Sequence, residues 1–364
     1  MSMIYFDHNA TTRHSVAVRN AMIEFIDEPL NASSIHIYGR RARSIIENAR
    51  AKVIDSLSIP KHFRVVFTSS ATEANNIILT SVKVAGSKIF TPKTEHPSVI
   101  KGEVDKEISV NCNGEINLDE INESGFYSIM FANNETGVIQ QIHEVVKCVR
   151  DMNSIIHIDS VQAVGKVEFN CGAIAADAYT ISGHKFGGPQ GVGCLIYNPD
   201  AIKINPIFFG GGQEQGVRPG TENVIAINGL CIAMDEVQSR VELMKKNVLP
   251  IRNFIENELK NDGIIFGKDA KNRLPNTISI AMPGVKSELQ VAYFDSQGIA
   301  VSAGAACSAG RVDYPHVQIA MGASYEDATC AIRISLGVDN TIEEAKVFVS
   351  HWYKLYNKHQ NRSL

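Results

Sequence analysis

The sequence predicts an α/β protein, with a large, mainly parallel mixed-sheet domain and a smaller α+β domain beside it. Between about residues 60 and 200, short apolar β-rich runs alternate with amphipathic helical stretches, the pattern of a parallel sheet covered by helices. Several of those runs end abruptly in polar or glycine-containing segments. Beyond residue 250 the order changes to an apolar strand, a helical stretch and a loop of small residues, which reads as a second unit of α+β type.

The clearest strands are expected at 63–68, 88–91, 127–132, 155–159 and 178–182. They run into Ser69-Ser70-Ala71-Thr72, Asn133-Asn134-Glu135, Asp159 and Ser182-Gly183-His184-Lys185. Ligands of open α/β sheets sit beyond the carboxyl ends of the strands, so one site fed by several strand ends is expected. A long helical pattern follows Thr221-Glu222-Asn223 and reaches about residue 261, with a break expected at Pro250. An apolar strand at 276–282 and a helical stretch at 289–295 then precede a loop around Cys307. The expected division is a cofactor-binding domain over 13–250 and a small domain formed by 1–12 with 251–364. With no repeat, low-complexity tract or flexible linker between them, tight docking is expected.

Composition excludes several function classes. The chain has 364 residues, 44% hydrophobic and 20% charged, enough for a sizeable core. A net charge of -4 and scattered Lys and Arg residues supply no basic field for a nucleic acid. Residues 1–12 include Asp7 and His8 rather than a basic and an apolar region, and the most apolar helical stretch, 224–234, is interrupted by Asn228. Neither a signal peptide nor a membrane span is expected, and the expected location is the cytoplasm. Seven cysteines without a C-x-x-C pair argue against a disulfide framework and against a metal site. Six read as small buried hydrophobes, and Cys307 stands apart.

Lys185 follows a strand and precedes a turn holding Gly187, Gly188, Gly191 and Gly193. A lysine there reaches into a cleft while backbone packs closely about a ligand, and desolvation makes its amine a Schiff-base nucleophile. Taken alone, such a lysine is also an ordinary surface charge. Asp159 ends an apolar strand, where it either pairs with a protonated pyridinium nitrogen or caps a helix. At residues 67–74 a strand enters a helix through small and hydroxylated residues, a setting suited to phosphate.

With these segments stand Tyr5-Phe6-Asp7-His8-Asn9-Ala10-Thr11-Thr12, Asn31-Ala32-Ser33-Ser34-Ile35-His36, Ala71-Thr72-Glu73-Ala74-Asn75-Asn76 and Thr94-Glu95-His96. Further along come Asn133-Asn134-Glu135-Thr136-Gly137, His157-Ile158-Asp159, Arg218-Pro219-Gly220-Thr221 and Ile332-Arg333-Ile334-Ser335-Leu336-Gly337. In this order, over nearly the whole chain, the series resembles the cysteine desulfurases of the class V aminotransferase group. The resemblance implies a fold-type I pyridoxal-phosphate transferase working as a homodimer. It implies that Lys185 bears pyridoxal 5'-phosphate as a Schiff base, His96 stacks on the ring, and Asp159 pairs with the ring nitrogen. Asn134 and Gln162 would lie near the ring hydroxyl. Ala71, Thr72, Ser182 and His184 would surround the phosphate, with Thr221 reaching it from the other subunit.

Residues 301–310 are too rich in small side chains for a core element and read as a mobile loop carrying the thiol of Cys307. Arg333 offers a guanidinium fork to an amino acid carboxylate, or else forms a structural salt bridge; in the resembling family the carboxylate contact is shared with the position of Asn31. The implied reaction takes sulfur from L-cysteine. Lys185 removes the α-proton, Cys307 receives sulfur as a persulfide, His96 carries a proton, and L-alanine leaves. Sulfur would pass on to an acceptor or iron-sulfur scaffold protein. Ser70, Ala32 and Gln190 depart from the family's usual Gly, Pro and Lys, and the short stretch 347–364 bears on scaffold docking. A selenocysteine lyase, an aminotransferase and a catalytically silent scaffold paralogue are the rival readings.

Overall fold

A computed structural model describes residues 3–304 and 314–363. After β1 (Ile4–Tyr5), the principal sheet is built from β2 (Arg64–Thr68), β3 (Ile89–Pro92), β4 (Lys106–Ile108), β5 (Phe126–Met130), β6 (Ile155–Asp159), β7 (Ala178–Ser182) and β8 (Gly193–Tyr197). Their spatial order is β2-β8-β7-β6-β5-β3-β4. Strand β8 runs antiparallel to both neighbours, and the other pairings are parallel. Strands β5, β7 and β8 are buried along their whole length, as expected where helices cover both faces.

Alternate strand residues supply the two faces. Val65, Phe67, Ile156, Ile158, Tyr179 and Ile181 pack in one apolar cluster with Ile46 and Val53 of the helix Ile37–Ser56 and with Ile227 and Leu230 of Val224–Asp235. Val66, Ala178 and Leu195 face the opposite way, onto Ile77 and Ile78 of the helix Ala71–Val84. The parallel strands therefore deliver their carboxyl ends to one edge.

A second, antiparallel sheet contains β9 (Ile264–Phe266) and β10 (Thr277–Ala281), while β11 (Ile299–Ala300) pairs in parallel with β1. With β12 (Ser302–Ala303) and β13 (Ala331–Ser335) the order of this sheet is β12-β13-β10-β9. Its core joins Phe6, Phe294, Phe348 and Trp352 to Ile278, Ile280, Ile332 and Ile334. Phe6 belongs here because residues 6–8 continue alongside β13: Ser335 N donates to Phe6 O at 2.8 Å, and His8 N to Ser335 O at 3.0 Å. Gly337 makes room for this segment, since a Cβ there would stand 2.2 Å from a ring carbon of His8.

The long helical pattern differs from expectation in where it breaks. Helices Val224–Asp235 and Val237–Leu243 lead into a π-helical turn, Met244–Val248, and the helix Leu249–Leu259 follows with Pro250 in its first turn. Proline has no N–H and crowds the carbonyl four residues before it, so the distortion lies upstream, in a wider turn that accommodates the missing bond.

Candidate active site

The carboxyl edge of the principal sheet holds a cavity of about 370 Å³. Ala71 and Thr72 enter it after β2, His96 after β3, and Asn134 after β5. Asp159 and Ser182 are the last residues of β6 and β7, followed by Gln162 and by His184 and Lys185. Arg333, in β13, closes the wall from the second sheet together with Ser302 and with Asp7, Asn9 and Ala10. Thr221 is exposed and lies at a separate cleft with Thr68, Ser69 and Arg218. Asn31 is exposed outside the cavity, its Oδ1 accepting from Ser33 N at 2.9 Å. Cys307 lies outside the described residues.

Two backbone carbonyls hold the Lys185 amine: Nζ donates to Asn9 O at 2.7 Å and Ala10 O at 2.8 Å. Burial, aided by the Arg333 charge, lowers its pKa to about 8 against the opposing pull of Asp7 and Asp159. A useful share of neutral amine is thus present near pH 7.5. Asp159 is oriented by Asn75 Nδ2 at 2.9 Å and by Val161 N at 3.0 Å. His96 Nδ1 accepts from Ser98 N at 3.1 Å, capping the short helix Pro97–Ile100, so a neutral imidazole carries its proton on Nε2. Burial keeps that ring neutral by lowering its pKa, against the attraction of Asp159. Below it Glu95 is fully buried, and desolvation plus the Asp159 charge hold its carboxyl well above the usual range.

Arg333 makes an ion pair with Asp7, Nη2 to Oδ1 at 2.7 Å. The salt bridge weighed from sequence is therefore present, and it leaves Nε buried without an acceptor among the described residues. One edge of the guanidinium is anchored while a donor stays open. Asp7, Asn9, Ala10 and Asn75 stood in the quoted motifs without an assigned role. Their shared signal was a run of polar residues beside apolar strands.

The Aminotransferase class-V family profile matches residues 4–348. A cysteine desulfurase of Nostoc sp. is 35% identical over 355 residues, covering 92% of this chain and 88% of its own. The cysteine desulfurase IscS of Dictyoglomus turgidum is 34% identical, covering 94% and 91%. The chain belongs to the cysteine desulfurase family. A solved NifS-like protein of Rickettsia africae superposes with a TM-score of 0.89 at 35% identity, covering 98% of this chain and 99% of that one. The fold is accordingly the fold-type I arrangement of these enzymes.

Family members depend on pyridoxal phosphate, and the cavity fits that group. Ser70 Oγ is committed to Glu73 N at 3.2 Å. The amides of Ala71 and Thr72, opening the helix Ala71–Val84, have no acceptor among the described residues, which is an anion site in waiting. Gly193 lets β8 lie against this turn, for a Cβ there would stand 2.8 Å from Ser70 C. His184 Nδ1 is buried without a partner among the described residues, and burial and the neighbouring lysines lower the ring's pKa to about 4. An orphaned buried polar atom beside free helix amides suits a phosphate ester. A carboxylate and an amine face the same cavity, as a pyridine aldehyde requires.

Proposed function

We propose that this enzyme takes sulfur from L-cysteine, releases L-alanine and holds the sulfur on Cys307 as a persulfide. The observation that carries the reading is the Lys185 amine, buried, lowered to about 8 and held in one cavity with Asp159 and Arg333. In this reading Lys185 would bear the cofactor, Asp159 would pair with the ring nitrogen, His96 would stack on the ring, and Asn134 and Gln162 would serve the ring oxygen. Ala71, Thr72, Ser182 and His184 would hold the phosphate, with Thr221 of a second copy completing it in a homodimer. Bound pyridoxal phosphate supplies an electron sink for the substrate α-carbon.

The protein groups then act in order. Arg333, steadied by Asp7, offers Nε to the substrate carboxylate, assisted by Asn31. Lys185 takes the α-proton as a neutral amine. The Cys307 thiolate forms a bond to the substrate sulfur as the carbon–sulfur bond breaks, and His96 serves as a proton carrier toward the departing alanine. Ser302 lines the cavity on one side of the undescribed segment, and His316 on the other lies 3.0 Å from Glu95 O, next to His96. The reading also includes the division into 13–250 and 1–12 with 251–364, a cytoplasmic location, and an acceptor or iron-sulfur scaffold protein that receives sulfur. The second sheet's apolar core, separate from those on the two faces of the principal sheet, supports that division, although Met244 and Val248 already pack in it. Alanine and persulfide are measured after mixing the holoenzyme with L-cysteine. Both appear with the parent, neither with Cys307→Ala, and alanine formed by that variant at the parent rate overturns the assignment.

A further inference from the structure

Behind Gln162 lies a second lysine. Lys166 is 2% exposed, and no carboxylate lies within ion-pair distance of it among the described residues. Burial and the charges of Lys185, Arg333 and Arg240 all act against its ammonium form. Retaining an amine here is costly, because a methionine of similar length would fill the space without desolvating a polar group. Its Nζ donates to Asn9 Oδ1 at 2.7 Å and also to Gln162 Oε1.

These contacts fix which way the Gln162 amide points. The oxygen faces the lysine, which has the two hydrogens its contacts use whether or not it is charged. The nitrogen faces Asn9 O at 3.2 Å, a group that only accepts. The flipped amide would set two oxygens against each other. Asn9 is locked in the same way: its Oδ1 receives Lys166 and, at 3.1 Å, Asn276 Nδ2, while its Nδ2 donates to Asn134 O and Thr277 Oγ1. Gln162 also lines the cavity, and one hydrogen of its Nε2 is not used by Asn9.

We propose that Lys166 is a positioning residue that, through Gln162, presents a hydrogen-bond donor and no acceptor to the ring oxygen of the cofactor, selecting that oxygen in its ionised form. The inference rests on the role given to Gln162 under the proposed function. Its test is the Kd for pyridoxal phosphate, titrated into apo-protein, with the absorption spectrum of the bound cofactor recorded alongside. Lys166→Met and Gln162→Met are each expected to weaken binding about tenfold and to change the spectrum alike. The double variant should bind no more weakly than Gln162→Met. Gln162→Glu keeps an acceptor for Lys166 but removes the donor, and should weaken binding at least as much. This variant tests the donor itself and can still overturn the proposal if Lys166→Met does not fold. Parent-like binding by Lys166→Met or Gln162→Glu, or a full further loss when Lys166→Met is added to Gln162→Met, overturns the proposal. Parent-like binding by Gln162→Met overturns the role of Gln162 as well, whereas a loss with Gln162→Met alone overturns only that of Lys166.

Discussion

Replacing Arg333 with methionine separates two effects of one buried charge. The side chain is 4% exposed, its Nη2 is occupied by Asp7, and Nε has no acceptor among the described residues, so a substrate carboxylate bound there would meet a desolvated donor. Losing such a charge-assisted contact costs about 2–3 kcal/mol, roughly a 30- to 160-fold fall in kcat/KM for L-cysteine. The second effect falls on Lys185, whose pKa Arg333 helps to lower to about 8. Without that charge, burial alone opposes the pull of Asp7 and Asp159, the amine's pKa rises, and less of it is neutral at any given pH. Steady-state alanine formation reads the first effect, and the pH dependence of cofactor capture by apo-protein reads the second. The capture midpoint should move to higher pH. Asp7→Asn is the control, since it breaks the same ion pair and keeps the guanidinium; its KM should stay near the parent value. An unchanged kcat/KM in Arg333→Met would falsify the carboxylate role and leave the ion pair as purely structural.

Lys185→Ala should bind pyridoxal phosphate without a borohydride-reducible linkage, and a reducible adduct on the variant would place the attachment elsewhere. Gly337→Ala drives a methyl into the His8 ring and should cost about 1–3 kcal/mol, read as a lower thermal midpoint of the apo-protein; an unmoved midpoint refutes the packing argument. Alkylation of the native protein at pH 8 should modify exposed Cys112 and spare Cys171 and Cys194. Burial pushes both of those thiols up, so their thiolate fraction is negligible there. Mass spectrometry of the labelled peptides checks this, and rapid labelling of either buried thiol contradicts it.

The parts of the site legible in the sequence were those written locally. Asp159 closes an apolar run and Lys185 stands three residues past the end of another, and strand ends share one edge of a parallel sheet, so their meeting needed no knowledge of packing. The Asp7–Arg333 pair was not legible, because 326 residues separate partners brought together by pairing of residues 6–8 with β13. Lys166 gave no signal at all. It reads as an ordinary polar residue following a turn, and only the fold shows that it points inward. The π-helical turn before Pro250 escaped notice for a different reason, since proline marks that a helix is disturbed but not which residues absorb the change.

The hydrogen bonds of Asn9 set when the site can exist during synthesis. Its backbone amide bonds to Ser335 Oγ and its carbonyl holds Lys185 Nζ, so an early-made segment waits for one 326 residues further on. At about 5–20 residues per second, the 326 residues between Asn9 and Ser335 take roughly 15 to 65 s to add. In the later part of that interval, once Tyr197 has been made, strands β2 to β8 are available to pair, with the lysine amine at their edge and the wall that carries Arg333 still missing. Cofactor captured so early would meet a cleft open on one side, which closes only after β13 has joined the segment that follows β1.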